Sequence, residues 1–219
     1  MRTYAIGDVH GMVYLLRRLI SRCLQDGRGN ALRFVMLGDY VDRGADAKEA
    51  VQQLLHLQKK RPAKFICLRG NHEALLLAAS EDAAAEQQWL RNGGAATLRS
   101  YGVEHARDLP AEHLEWLKTL PTTHDDGLRL FVHAGIDPGK SIHQQAEHDL
   151  LWIRDRFLKD KRDHGRFVVH GHTPLSEGLP DLHPNRVNLD TGAGYRGPLT
   201  AAVFDGVSAR PIRFIQAVP

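Results

Sequence analysis

Arg33-Phe34-Val35-Met36-Leu37-Gly38-Asp39-Tyr40-Val41-Asp42-Arg43-Gly44 opens on an apolar run and stops at a glycine followed by two carboxylates and an arginine. The run has the length and composition of a buried strand. The glycine lets the backbone turn sharply at its end. The charged residues then stand where α/β sheets bind ligands, in the crevice outside the carboxyl ends of strands.

Four other apolar runs end the same way. Ile6 leads into Gly7-Asp8-Val9-His10-Gly11, and Leu68 into Arg69-Gly70-Asn71-His72-Glu73. Val132 leads into His133-Ala134-Gly135, and Val169 into His170-Gly171-His172-Thr173. Five rigid strand ends therefore offer Asp, His, Asp, Asn, His and His, and these could converge on one point. Oxygen and imidazole donors without thiolate suit a borderline-hard divalent ion such as Mn, Fe or Zn. Six such donors exceed what one tetrahedral ion needs, whereas two ions about 3.5–4 Å apart that share a carboxylate would use them.

Outward from these blocks, the sequence predicts strands at Thr3–Ile6, Arg33–Leu37, Lys64–Leu68, Leu128–Val132, Arg166–Val169, Arg186–Leu189, Leu199–Phe204 and Ile212–Ile215. Met12, Leu15, Leu16, Leu19, Ile20 and Cys23 recur at helical spacing after the first strand, and Ala47, Ala50, Val51, Leu54 and Leu55 after the second. Leu75 to Leu120 reads as helices broken at Asn92-Gly93-Gly94, at Tyr101-Gly102 and at Pro110, and Ser80–Gln88 reads as a solvated helix or lid. The first half is β-α-β-α-β and the last quarter reads as a β meander, which together suggest two sheets with helices outside.

With 219 residues and 42% hydrophobic content, the chain has material for one compact domain over 1–219, with a helical insert at about 74–120. Charged residues make up 25% and the net charge is +3, an ordinary balance with no nucleic-acid signature. Two cysteines, Cys23 and Cys67, share no spacing with each other or with a histidine pair, which argues against a disulfide framework and a thiolate zinc site. The N-terminus turns polar too early for a signal peptide, and no apolar run approaches the roughly 20 residues of a membrane span. The expectation is a cytoplasmic protein.

The blocks Gly7–Gly11, Gly38–Gly44, Gly70–Glu73, His133–Gly135 and Gly171-His172, in this order, resemble the signature of the calcineurin-like metallophosphoesterases, and within them the small bacterial and phage phosphoprotein phosphatases. The resemblance implies a four-layer αββα fold in which two mixed sheets face each other with helices outside. It implies one divalent ion held by Asp8, His10 and a bridging Asp39, and a second held by Asp39, Asn71, His133 and His172. Manganese is the first expectation for both ions, with Fe or Zn also compatible. A hydroxide between the ions would be the nucleophile. His72 would protonate the leaving oxygen and Asp42 would orient it. Arg43 and, in the looser block Leu150–Asp155, Arg154 would bind phosphate together with Asn71 and His72. His170 and Glu73 read as supporting residues, Asp190-Thr191-Gly192-Ala193 as support for the site, Trp89 as core, Tyr195 and Arg196 as a surface turn with contact to substrate as the alternative, and the histidines away from the strand ends, His113 among them, as solvated.

The activity so implied is hydrolysis of phosphorylated proteins or peptides at serine or threonine, with tyrosine as a further acceptor. The alternative is hydrolysis of dinucleoside polyphosphates, a neighbouring branch that resembles this one in its metal ligands but typically lacks an aspartate at the position of Asp42. A catalytically silent module conflicts with the complete ligand set. A nucleic-acid exonuclease fits less well, because Thr173 stands where that group usually carries a further histidine.

Overall fold

A computed structural model describes residues 1–219. The first sheet runs in the order β10-β9-β1-β2-β3, built from β1 (Arg2–Ile6), β2 (Leu32–Met36), β3 (Phe65–Cys67), β9 (Leu199–Phe204) and β10 (Arg213–Ala217). The second runs β4-β5-β6-β8-β7, from β4 (Thr123–Asp125), β5 (Arg129–Val132), β6 (Phe167–His170), β7 (Asp181–Leu182) and β8 (Arg186–Asn188). Both are mixed. β1, β2 and β3 are parallel while β9 and β10 run against them. β5, β6 and β8 are parallel with antiparallel edges at β4 and β7.

Alternation along the strands sorts the core into layers. In β1, Ala5 faces the second sheet, where it joins Val35, Leu37, Leu68, Phe131, Val169, Val187 and Phe204 in one buried cluster. Tyr4 and Ile6 point the other way, onto α1 (Val13–Asp26) and α2 (Ala47–Lys60). In β5, Phe131 faces inward while Leu130 and Val132 pack on α7 (Glu147–Trp152) and α8 (Asp155–Leu158) through Leu150 and Phe157. A period of two on each strand thus gives helix, sheet, sheet, helix. The apolar stripe of α1 is buried at Val13, Leu15, Leu16, Leu19, Ile20 and Cys23, the spacing read from the sequence.

Between β3 and β4 the chain is helical: α3 (Asn71–Glu81), α4 (Ala83–Trp89), a π-turn at Leu90–Gly94, α5 (Ala95–Tyr101) and α6 (Ala111–Thr119). The breaks fall at the predicted glycines and proline. Gly93 has φ 107° and Gly102 φ 70°, left-handed conformations that stop a helix.

Three expectations are corrected. The last quarter is not a meander, because β6 and β8 are parallel and the chain then leaves for the first sheet as β9. The turn after β8, with Gly192 at φ 80°, redirects it. β4 and β7 were not predicted; they are short edge strands with partly exposed, polar-leaning sequences, which leave no apolar alternation to read. His113 is buried rather than solvated, held by the Tyr101 hydroxyl at 2.8 Å and Gln52 at 3.0 Å.

Phe131 fills the seam between the sheets, edge-on to Phe204 at 6.1 Å and fully buried. Phe131→Ala is expected to destabilise the fold by about 3–5 kcal/mol. Urea unfolding measures this, and a loss below about 1 kcal/mol would mean that the two sheets close without it.

Candidate metal centre

The carboxyl ends of β1, β2, β3, β5 and β6 meet at one place, where the two sheets come together. Asp39 lies at its middle, 2% exposed. Its Oδ2 is 3.5 Å from His10 Nε2 and 3.9 Å from His72 Nε2, and its Oδ1 is 3.4 Å from His133 Nε2. His10, Asp39 and His72 form one buried trio of donors able to hold an ion, and Asp39, His133 and His172 form a second. Asn71 joins the latter: its Oδ1 lies 2.8 Å from His133 Nε2 and 2.9 Å from His172 Nδ1. The carboxylate of Asp8 is not part of either trio. It accepts the His172 backbone N–H, at 3.1 and 3.3 Å to its two oxygens, beside the buried Asp190.

The hydrogen bonds of the rings decide what the centre suits. The Nδ1 of His10 meets the Val41 carbonyl at 2.9 Å, and the Nδ1 of His133 meets the Leu37 carbonyl at 2.9 Å. Carbonyl oxygens only accept, so each Nδ1 carries the proton and each Nε2 presents a lone pair. Both lone pairs face the oxygens of Asp39, and of the two only that of His10 meets a donor, on the Arg43 guanidinium. Burial first of all holds these imidazoles neutral, pulling His10 down to about 3 and lowering His133 and His172 as well. Neutral imidazoles and a buried carboxylate facing one another repel unless a cation lies among them. Asp190 adds to this: its Oδ2 is buried without a hydrogen-bond partner, and burial above all raises its carboxyl to about 6. The donor set fits divalent metal ions, and the histidines and aspartates are positioned for them.

Around the centre the loop backbone is contorted. His10, Asp39, Asp42, Arg43 and His172 have φ of 44°, 54°, 69°, 66° and 67°, a region that side chains other than glycine's rarely adopt. What holds them is visible at Glu73, fully buried. Its Oε2 accepts the N–H of Asp39 at 2.7 Å and of Gly70 at 2.8 Å, and its Oε1 that of Tyr40 at 2.7 Å and of Val41 at 3.3 Å. Burial and the neighbouring Asp39 push the Glu73 carboxyl up to about 7 against these four donors. Gly38 completes the packing: at φ 102° it leaves no room for a Cβ, which would stand 2.5 Å from Gly70 N.

His72 Nδ1 is 2.7 Å from Asp42 Oδ2, the pairing expected from the sequence. Asp42 is held in turn by two residues that sequence reasoning did not connect to it. Trp89 Nε1 donates to both its oxygens, at 2.9 and 3.0 Å, and the Thr97 hydroxyl donates to Oδ1 at 2.7 Å. Trp89 is core, as read, but it is also a donor to the site. Arg43 reaches inward to His10 Nε2 and to His72 Nε2, the latter at 2.9 Å. Its guanidinium stacks over the Tyr195 ring, 4.8 Å from the centroid, so Tyr195 is more than a surface-turn residue. Arg154 stands across the centre, its Nε donating to His172 Nε2 at 3.2 Å. His170 is buried outside both trios, against Gly171 O at 3.2 Å.

Comparison with known proteins places this geometry. Residues 1–201 match the family described as calcineurin-like phosphoesterase. The chain is 31% identical over 215 residues to serine/threonine-protein phosphatase 1 of Salmonella typhimurium, covering 91% of this chain and 90% of that protein. It is 36% identical over 138 residues to a symmetrical bis(5'-nucleosyl)-tetraphosphatase of Dechloromonas aromatica, covering 63% of this chain but 45% of that one. A solved serine/threonine phosphatase from Saccharomyces cerevisiae superposes with a TM-score of 0.68 over 100% of this chain and 80% of its own, at 16% identity, a likeness of fold alone.

Glu73→Gln is expected to turn an amide NH2 toward N–H groups that now find oxygen, destabilising the metal-free protein by about 2 kcal/mol or more. Urea unfolding in EDTA reads this, and an unchanged midpoint would deny Glu73 its role.

Proposed function

The chain belongs to the calcineurin-like phosphoesterases, and from that we propose that it removes phosphate from phosphorylated serine or threonine in proteins or peptides. The family makes it a metal-dependent phosphoester hydrolase. The observation that carries the finer reading is Asp42, three residues beyond Asp39 and hydrogen-bonded to His72 at 2.7 Å. The match to the Salmonella phosphatase along nearly the whole of both chains supports it. No helix is long and apolar enough to cross a membrane.

Asp8, His10 and Asp39 would hold one ion, and Asp39, Asn71, His133 and His172 the other, with Mn, Fe or Zn all suited to the donors. When bound, such ions polarise phosphoryl oxygens and make attacking water acidic enough to act near neutral pH. The residues around them supply the rest. Arg43 contacts His10 and His72 and Arg154 contacts His172, and both would present planar forks to phosphate oxygens. His72 holds its Nδ1 proton against Asp42, which aims Nε2 into the site. Burial opposes a charge on this ring, but Asp39 and then Asp42 outweigh it and raise its pKa above the ordinary histidine value. Arg43 donates to that Nε2 at 2.9 Å. Once phosphate draws the guanidinium away, Nε2 is left to carry the proton that an alkoxide leaving group requires.

A second reading, hydrolysis of dinucleoside polyphosphates, draws on the 36% identity to the Dechloromonas enzyme. One panel separates the two. With manganese present, phosphoserine and phosphothreonine peptides are expected to turn over faster than diadenosine tetraphosphate, and EDTA to abolish all of it until metal is restored. Faster cleavage of the dinucleotide would transfer the assignment, and full activity after chelation and dialysis would end the metal-dependent account. His72→Asn is expected to lower kcat/KM by about 10²–10⁴ on phosphoserine peptides and far less on p-nitrophenyl phosphate, whose leaving group needs no proton. Equal losses on both would remove His72 as the acid.

A further inference from the structure

Beside the metal centre, on the far side of Arg43, lies a cavity of about 350 Å³ lined by Arg43, Gly44, Ala45, Ala96, Arg99 and Ser100. It shares one wall with the site, the Arg43 side chain that reaches His10 and His72. The opposite wall carries Arg99. That guanidinium is exposed and has no carboxylate partner, whereas Arg129, Arg162, Arg166 and Arg186 each pair with an aspartate. Asp46, which follows the lining residue Ala45, forms no ion pair with either arginine.

Arg99 is also firmly placed. It sits on α5, which is bolted to the catalytic loop at Thr97, where the hydroxyl donates to Asp42 Oδ1 at 2.7 Å and accepts the Asp42 N–H at 2.9 Å. One residue beyond Arg99, the Ser100 hydroxyl accepts the Lys48 N–H at 3.0 Å and ties the same helix to the first turn of α2. The backbone on either side of Arg99 is thus fixed to the two segments that frame the cavity, and an arginine on a rigid element is a better recognition group than one on a loose loop. Arg43 and Arg99 both line this hollow, and the Arg99 guanidinium, which meets no acid there, suits an oxyanion, phosphate or carboxylate.

We propose that this cavity is a second anion subsite, and that Arg99 is a specificity-determining residue which receives a phosphate or carboxylate group adjacent to the scissile phosphate on the same substrate. This rests on the reading of the chain as a phosphoester hydrolase and narrows it: substrates with a second negative group close to the reacting one are preferred. Arg43 lines the hollow and reaches from it into the metal centre.

The test compares substrates within one enzyme preparation. The probes are a phosphoserine peptide flanked by alanine, the same peptide flanked by glutamate, the same peptide with a second phosphoserine as neighbour, diadenosine tetraphosphate and p-nitrophenyl phosphate. The wild type is expected to favour the glutamate-flanked and doubly phosphorylated peptides over the alanine-flanked one. Arg99→Gln and Arg99→Glu are expected to shrink that preference about tenfold, the scale of one lost charge-assisted hydrogen bond, chiefly through KM. A larger drop on the dinucleotide than on the acidic peptides identifies a polyphosphate chain as the second anion; the reverse identifies a side-chain carboxylate or phosphate. An unchanged ratio of acidic to neutral peptide in both variants overturns the subsite. Failure of the wild type to cleave any of the probes with metal present sinks the hydrolase reading instead, a distinct result.

Discussion

Four backbone N–H groups, from Gly70, Asp39, Tyr40 and Val41, end on the single carboxylate of Glu73. The loop after β2 would not hold its shape alone, since Asp39, Asp42 and Arg43 all occupy left-handed backbone. Each such residue costs of order 1–3 kcal/mol. A buried acceptor tying both loops together offsets that strain and places Asp39 where rings from both sheets reach it. The metal centre, the His72–Asp42 pair and the inward reach of Arg43 all hang on that junction.

The electrostatics follow the same logic. Burial keeps the ligand imidazoles neutral and therefore available as donors, but it leaves them facing Asp39 with lone pair against lone pair. Arg43 and Arg154 are the cations that reach into this space from its two sides. A cluster of this kind is destabilising as protein alone, and its stability depends on the cations it collects.

Much of this was legible in the sequence because it rests on local rules. An apolar run ending in glycine and a polar donor states both a strand and what the strand delivers, and the Gly38–Gly44 block states it with three site residues at once. The breaks at Gly93, Gly102 and Pro110 were equally local. What escaped was contact across distance. Trp89 and Thr97 meet Asp42 over 47 and 55 residues, and nothing in either residue's surroundings announces a carboxylate. The Arg43–Tyr195 stack joins opposite ends of the chain. The parallel pairing of β6 with β8 depends on a turn whose direction composition does not specify, and β4 and β7 have no alternation of their own. The buried His113 was missed for the same reason, since its partners lie on α5 and α2.

The indole of Trp89 bonds directly to the carboxylate that steadies His72 and has no exposure to solvent. Indole emission follows the electric field around the ring, so this tryptophan is a native optical probe set against the acid–base pair. Events at Asp42 should colour its spectrum, allowing occupancy of the neighbouring centre to be followed by light without labels or turnover.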